Sequence, residues 1–203
     1  MKYILSAGLA SLFIATPVFA GEEDILNVRL AAASLTYVPS IPSQVPNEWE
    51  PWEKSATDLI YTIAGASRKR AAPADIWYES KRAGLDLNTV FVLVEVLSRF
   101  DPGHLSASGQ IGLLQITPVA HEKIGNPENS LYQPKYNLRL GCALLRMHLD
   151  YSDGDVIKAL TRFFTYASPQ DSPKSRIEEF TRLLSARSIQ LNRNKPNLSA
   201  TEK

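Results

Sequence analysis

The sequence predicts an all-α domain of about six or seven helices, preceded by a proline-rich N-terminal extension. Apolar residues recur at helical spacing in most segments after residue 50, and prolines and glycines stand where such segments begin and end. In addition, the segment 86–100 is apolar on nearly all sides, which is typical of a central buried helix.

The first helix is expected within 53–67, and the next begins near Pro73 and ends at Gly84 as its C-cap. The third helix, 86–100, opens at Asp86 as its N-cap. Its valines would also suit a strand, but the segment is long for a strand and its neighbours are helical. A loop rich in Gly and Ser follows it, and the remaining helices are expected at 112–125, 136–151, 153–168 and 172–189.

Both ends of the chain are expected to lie outside this domain. Lys2 precedes an apolar run, and Val18 and Ala20 are small residues where a signal peptidase reads, so we predict a secretory signal peptide cut after Ala20. A retained membrane anchor is the alternative, but the run is short and no charged stop-transfer segment follows it. We therefore expect export without a stable membrane anchor. The predicted organisation is signal peptide 1–20, proline-rich extension or linker 21–50, domain 51–187 and polar tail 188–203.

The net charge, the single cysteine and the spacing of the histidines give no sign of nucleic-acid binding or metal binding. Without Lys2 the chain carries 21 basic residues (22 minus 1) against 21 acidic ones, so its net charge is zero and no nucleic-acid partner is predicted. The single cysteine, Cys142, lies in an apolar segment and is expected to be a small buried residue, with an intermolecular disulfide as the alternative. His104, His121 and His148 show no metal-ligand spacing, so neither a metal nor another cofactor is predicted.

A fixed frame of residues between 97 and 115 carries the clearest motif. It resembles the motif E-S-x-F-x-P-x-A-x-S-x-x-G-A-x-G-L-M-Q of the soluble lytic transglycosylase (SLT) family, whose domain has a lysozyme-like fold. The main departure is Leu97, which stands at the position of the family's Glu; His104, Gln110 and Leu114 are the others. The matching positions are Ser98, Phe100, Pro102, Ser106, Gly109, Gly112, Leu113 and Gln115.

Two later segments extend the resemblance. "QPKYNLRLGCALL" is similar to the family's P-x-x-N-I-x-x-G-x-x-Y-L element, with matches at Pro134, Asn137, Gly141 and Leu145. "ALTRFFTY" stands where members carry A-L-A-A-Y-N-A-G. There Phe163 replaces the Tyr, Phe164 the Asn and Tyr166 the Gly.

The resemblance implies an enzyme that cuts peptidoglycan between N-acetylmuramic acid and N-acetylglucosamine and leaves an anhydro sugar. The resemblance also implies that a single Glu performs both proton transfers. This Glu first protonates the leaving oxygen and then accepts a proton from the sugar's own hydroxyl. Leu97 has no ionisable proton, and Phe163 and Phe164 also lack the polar groups of the family residues. We therefore predict no catalytic residue and a pseudoenzyme.

Other acids and binding residues leave alternatives open. Glu95 is two residues from Leu97, a turn of ~200° along a helix, so it should point away from the cleft and meet a basic partner such as Arg99 or an arginine on another helix. Asp101 is expected to be a turn residue. Ser106, Gln115 and Phe163 are the predicted glycan-binding residues, although hydrogen bonding within the loop or core packing would also explain them.

The sequence thus favours a non-catalytic, exported relative of these enzymes, located in the periplasm or cell envelope. It would bind the glycan strands of peptidoglycan or act as an assembly partner of an envelope or secretion system. One alternative is an active lytic transglycosylase that uses Glu95 or another acid. Another is a scaffold that binds no sugar because Leu97 and the phenylalanines plug the groove.

Overall fold

The computed structural model of the protein describes residues 49–65, 71–126, 128–167 and 173–193. The predicted signal peptide, almost all of the predicted extension and the end of the predicted tail lie outside these residues. Among the described residues, no helix combines the length and the apolar character that crossing a membrane requires.

The described residues form seven α-helices, which confirms the all-α prediction. Within these residues, the backbone contacts of strand type are two isolated bridges, which pair Ile111 with Leu105 and with Ile116. The helices are α1 Trp49–Ala64, α2 Pro73–Arg82, α3 Leu87–Ser98, α4 Pro118–Ile124, α5 Pro134–Asp150, α6 Val156–Ala167 and α7 Pro173–Leu191.

Helix α3 is the centre of the core, as its apolar sequence predicts. It begins after Asp86, whose Oδ1 accepts a hydrogen bond from the backbone N–H of Thr89 at 2.7 Å, and it packs against α2 and α7. It ends at Ser98, two residues earlier than expected, because Arg99 and Phe100 both have positive φ (51° and 64°). The turn places the Phe100 ring, fully buried, 4.8 Å from the ring centroid of Phe91.

The helix predicted at 112–125 is wrong in its first half. Only residues 118–124 are helical, with Thr117 as the N-cap and Pro118 in the first turn. Residues 112–117 form turns instead, since Gly112 and Gln115 both have positive φ (82° and 52°). This short bridged segment is part of the loop that leads from α3 to α4.

Helix α1 begins at Trp49, and α7 continues to Leu191, whose side chain is fully buried in the core. Cys142 on α5 is a free, buried thiol, as predicted for a small core residue, and burial raises its pKa. Helix α5 packs on α2 and α6, and α6 packs on α7, which completes the bundle around α3.

Candidate functional site

A cavity of about 380 Å³ lies between the ends of α1 and α3 and the loop that follows α3. Leu97 is part of its wall, so we call it the Leu97 cavity. One part of the lining is apolar and the other carries a carboxyl, an imidazole and a guanidinium group. The lining residues are Ile63, Ala64, Val96, Leu97, Ser98, Arg99, Asp101 and His104.

Leu97 reaches this cavity because it lies in the last turn of α3, immediately before the chain turns into the loop. Only 7% of the residue is exposed. The cavity wall at this position is therefore an isobutyl group, which can pack against a ligand but cannot donate or accept a proton.

Glu95 lies on another side of the same helix and contacts α7. Its two carboxylate oxygens accept hydrogen bonds from Arg187, at 2.8 Å from Nε and 2.6 Å from Nη2. Arg187 also donates from Nη1 to the Oε1 of Gln190 at 2.7 Å, and its pKa is raised by the hydrogen bonds to Glu95. The basic partner expected for Glu95 is thus an arginine on another helix. Glu95 is buried, and it is not among the residues that line the Leu97 cavity.

Asp101 is the carboxyl residue of the Leu97 cavity lining. Its Oδ1 accepts a hydrogen bond from the backbone N–H of Gly103 at 2.9 Å, as expected for a residue that shapes a turn. The side chain nevertheless borders the same cavity as Leu97. Within the part of the chain that the structure describes, Asp101 carries the one carboxyl group of this lining.

Ser106 stabilises the loop through its own hydroxyl and backbone. Its Oγ accepts a hydrogen bond from the N–H of Gln110 at 3.0 Å, and its N–H donates to the carbonyl of Gln110 at 2.9 Å. The Oγ also lies 3.1 Å from the hydroxyl of Ser108. Ser106 remains half-buried, so part of the residue faces solvent.

Gln115 was predicted to bind glycan, but its amide is engaged inside the loop. Nε2 donates to the carbonyl of Gly112 at 2.7 Å and to that of His104 at 3.3 Å. Only 2% of the residue is exposed. The described geometry thus gives Gln115 a structural role, holding the backbone that carries His104.

Asn137 on α5 holds the same loop from the other side. It donates from Nδ2 to the carbonyls of Ile111 and Leu131 at 2.8 and 3.0 Å, and its Oδ1 accepts from the N–H of Leu114 at 2.8 Å. Gly112 passes so close that an added Cβ would lie 2.3 Å from the Asn137 amide nitrogen. The motif shows that both residues match the family, but this long-range contact is visible only in the fold.

Phe163, the third predicted binding residue, lies in the core. It is 1% exposed, its ring stands perpendicular to that of His148 at 6.3 Å, and Phe164 packs against it at 6.1 Å. Neither phenylalanine lines the Leu97 cavity. The Phe163 ring is therefore packed inside the core, and the structure does not support plugging of this cavity by the phenylalanines.

The Leu97 cavity includes residues that sequence reasoning set aside. His104 stands where the family motif has an alanine, and this departure is the one sequence feature that could have pointed to it. The direction of the His104 side chain depends on the turn around Asp101, which the motif does not reveal. Ile63 and Ala64 come from α1, whose approach to α3 no local pattern predicts. Within the described residues, no group of three or more His, Cys, Asp and Glu side chains is arranged to hold a metal ion.

Comparisons with known proteins agree with this description. Residues 76–168 match the family model for the transglycosylase SLT domain. The fold resembles that of an inactive mutant of the lytic transglycosylase Slt from Pseudomonas aeruginosa, with a TM-score of 0.53 and 22% sequence identity over 88% of this chain and 32% of that one. No curated protein shows significant sequence similarity to the chain.

The structural likeness concerns the fold, because the sequence identity is low and the chain spans about a third of the length of that transglycosylase. The family match covers the segment from α2 to the end of α6, which includes the Leu97 cavity residues of α3 and the loop. Residues 76–168 thus lie in an all-α, lysozyme-like domain and match the family model of the transglycosylase SLT domain.

Proposed function

We propose that this protein is a non-catalytic member of the SLT family that is exported to the bacterial envelope and holds the glycan strands of peptidoglycan. One observation carries the proposal: an apolar side chain, Leu97, lines the cavity at the position where the family motif has its Glu. Export rests on the predicted signal peptide 1–20, cleaved near Ala20.

The chemistry explains why this substitution is decisive. Cleavage of a glycosidic bond needs a proton on a poor leaving group, and a carboxylic acid in a partly apolar pocket supplies it. A family that uses one Glu for both proton transfers has no second acid to replace it. The mutant of the Pseudomonas aeruginosa transglycosylase, in which a glutamate is changed to glutamine, is inactive. A leucine at such a position removes the proton as well as the charge.

Glu95 does not support an active enzyme. Its carboxylate is fixed by two hydrogen bonds from Arg187 on the α7 side of the helix. To reach the Leu97 cavity, the Glu95 carboxylate would have to break its buried ion pair with Arg187. The Arg187 guanidinium would then lack a carboxylate partner, which is energetically costly. The regular α-helix from Leu87 to Ser98 contains no π-bulge that would rotate Glu95 toward the cavity.

The Leu97 cavity suits sugar binding without turnover. Its apolar wall offers a surface for the carbon face of a pyranose ring, and the polar groups of Asp101 and His104 offer hydrogen bonds to hydroxyl or acetamido groups. Ser106, which is half-buried in the same loop, stays a proposed contact at the edge. Gln115 and Phe163 are left out of the proposal because their side chains are buried.

Binding can be tested with insoluble peptidoglycan and the purified protein. We expect the protein to co-sediment with it, and His104→Ala to weaken binding about fivefold because one hydrogen bond is worth about 1 kcal/mol. Glu122→Gln is the control, since Glu122 is an exposed residue of α4 outside the cavity lining. If the wild-type protein stays in the supernatant, glycan binding is refuted and the role of assembly partner in an envelope or secretion system becomes the better account.

Asp101 gives a specific reason to test a second candidate function. Because its carboxyl group borders the cavity, an active transglycosylase could use Asp101 as its acid. In that case purified sacculi would release anhydro-muropeptides, and Asp101→Asn would abolish the product. We favour the non-catalytic function, because the Asp101 Oδ1 is already an acceptor in the turn with Gly103.

A further inference from the structure

Outside the Leu97 cavity, exposed apolar side chains gather where α5 turns into α6. Tyr151 is the C-cap of α5, and Val156 and Ile157 begin α6; all three side chains are exposed. The other exposed large apolar residues of the described chain stand singly along the sequence. Single exposed apolar residues are ordinary on a protein surface, whereas a group of them indicates an interaction surface.

The outward face of α6 extends this apolar surface. One side of the helix is buried in the core, and Ile157, Thr161 and Thr165 are exposed on the other side at helical spacing. The hydroxyl of Thr161 donates to the carbonyl of Ile157, and that of Thr165 to the carbonyl of Thr161, both at 2.8 Å. Because the hydroxyl hydrogens are used within the helix, the two threonines offer chiefly their methyl groups to a neighbouring molecule.

Two opposite charges beside this surface lack a counter-charge within the described residues. The carboxylate of Asp153 is exposed, and neither an ion pair nor a side-chain hydrogen bond joins it to these residues. Arg162 is also exposed; its guanidinium carbon lies 5.6 Å from the ring centroid of Tyr151, a contact that can position the cation but does not neutralise it. Lys158 differs, since its Nζ lies 3.4 Å from a carboxylate oxygen of Asp155. We call the following residues the α6 patch: Tyr151, Asp153, Val156, Ile157, Thr161 and Arg162.

A second copy of the chain would supply both missing counter-charges at once. In a contact with two-fold symmetry, both subunits offer the same surface, so that two different residues meet each other twice. Along the chain, Asp153 precedes Ile157 and Arg162 follows it, each by little more than one helical turn. If two α6 helices cross antiparallel with Ile157 next to the symmetry axis, Asp153 of each chain therefore lies opposite Arg162 of the other.

The same arrangement allows the two backbones to approach closely. It places Gly154 of one chain opposite Thr161 of the other. Gly154 has no side chain, and a Cβ added to it would meet nothing within 4 Å, so there is room for the threonine methyl group. The contact would then have an apolar centre at Ile157 and ion pairs at its edges, which is the usual arrangement of protein interfaces.

We propose that the protein forms a two-fold symmetric dimer through the α6 patch, with Ile157 at the centre and Asp153 paired with Arg162 across both edges. A cationic partner would leave Arg162 unpaired and an anionic partner would leave Asp153 unpaired, whereas a second copy satisfies both. A contact of one helix and one turn is small, so the dimer is weak and depends on concentration. It does not use the Leu97 cavity, whose lining includes no residue of α6 or of the turn before it.

Sedimentation equilibrium of the purified protein over a concentration series, without glycan, measures this dimer independently of the proposed function. Ile157→Asp should weaken dimerisation at least tenfold, because it puts a charge at the apolar centre. Ile189→Asp is the matched control and should dimerise like the wild-type protein, because Ile189 is an exposed isoleucine on α7, outside the α6 patch. Both positions are exposed, so both variants are expected to keep the wild-type Tm.

Reversal of the charges tests the pairing itself. Arg162→Glu should weaken dimerisation about tenfold, because two attractive contacts per dimer become repulsive. The double variant Asp153→Lys/Arg162→Glu should bring the dissociation constant back to within about threefold of the wild-type value, since the two charges are exchanged and can pair again. Arg182→Glu, at an exposed arginine on α7, is the control for the change in net charge.

The proposal is overturned if the wild-type protein stays monomeric throughout the series, if Ile157→Asp and Ile189→Asp behave alike, or if the double variant dimerises as weakly as Arg162→Glu. Hydroxyl-radical labelling of Tyr151 then identifies the occupant. Shielding of Tyr151 in a monomer would assign the α6 patch to another segment of the same chain. Co-sedimentation with anionic lipid vesicles that Ile157→Asp abolishes would assign it to a membrane surface, and either result contradicts the dimer.

Discussion

Two regions of the molecule differ in how they compare with the family motif: the loop between α3 and α4, and the three positions Leu97, Phe163 and Phe164. In the loop, Gly112 and Gln115 match the family, and both are fixed by close contacts or hydrogen bonds. At the other three positions apolar side chains replace the polar residues of the family motif, and all three are buried, at 7%, 1% and 1% exposure.

This difference separates what the fold needs from what the chemistry needs. Gln115 satisfies backbone carbonyls of the loop, and Gly112 leaves room for the Asn137 amide, so both residues serve the fold of the loop. Leu97, Phe163 and Phe164 contribute apolar packing, which a stable core accepts and a glycosidase cannot use. The fold of this domain therefore accommodates apolar side chains at positions where the family motif has polar ones.

The largest expected effect distinguishes two loop glycines that share a positive φ of 82°. Gly112→Ala would place a Cβ 2.3 Å from the Asn137 amide and 2.8 Å from the carbonyl oxygen of Leu131, whereas the Cβ of Gly109→Ala would meet nothing within 4 Å. We expect Gly112→Ala to cost about 4 kcal/mol of unfolding free energy and Gly109→Ala about 1 kcal/mol, the latter from the backbone conformation alone. Urea unfolding followed by circular dichroism measures both, and equal losses would contradict the role assigned to Gly112.

The ion pair on the α7 side of α3 should give the next largest effect. Glu95→Ala leaves the Arg187 guanidinium without its carboxylate in a mostly buried place, so we expect a loss of about 3 kcal/mol. Glu178→Ala on α7 is the control, because the Glu178 side chain is 67% exposed and its Oε1 lies 4.0 Å from Nζ of Lys174. This variant should lose no more than about 0.5 kcal/mol of unfolding free energy. A Glu95→Ala protein as stable as the control would show that Glu95 is available for another role.

Acid should weaken the packing around Phe163 through His148. Burial, and then the nearby charge of Arg162, lower the pKa of His148 from 6.5 to about 4. The unfolded chain therefore binds more protons between these values, and stability is lost as the pH falls from 6.5 toward 4. We expect this group to contribute about 3 kcal/mol across that window. The difference between the pH-stability curves of wild type and His148→Leu isolates it, and parallel curves would contradict the assignment.

The smallest expected effect tests whether Phe163 belongs to the core or to the site. Phe163→Tyr restores the hydroxyl of the family residue, but at a position that is 1% exposed. We expect a loss of about 1 kcal/mol from a hydroxyl buried without a good partner, and no gain in peptidoglycan cleavage. Tyr151→Phe, at a residue that is 45% exposed, should change stability by less than about 0.5 kcal/mol. A stabilised or newly active Phe163→Tyr protein would place this residue in the site.

Local sequence signals were sufficient for most of the helices. Asp86 and Pro73 mark helix starts that the structure confirms, and Gly84 follows α2 with a φ of 63°. The helix expected at 112–117 was wrong because its apolar residues fit helical spacing, while contacts from Asn137 on a distant helix stabilise a turn. Long-range hydrogen bonds of this kind cannot be predicted from the spacing of apolar residues within the segment whose backbone they fix.

The part of the candidate site that belongs to the family motif could be predicted from the sequence. Leu97 was identified from its place in the motif, and it lines the cavity. Burial of Gln115 and Phe163 could not be read from the motif, because it depends on how the loop folds back on itself and on the neighbours His148 and Phe164. The participation of Asp101 and His104 depends on the turn after α3.

The most direct test of the proposed non-catalytic function is to incubate the purified protein with peptidoglycan sacculi and analyse the soluble products by mass spectrometry. An active lytic transglycosylase on the same sacculi is the positive control. We predict no anhydro-muropeptides above the buffer blank for the wild-type protein, and none for Leu97→Glu, because Phe163 and Phe164 also differ from the family residues. Accumulation of anhydro-muropeptides with the wild-type protein, abolished by Asp101→Asn or Glu95→Gln, would contradict the account.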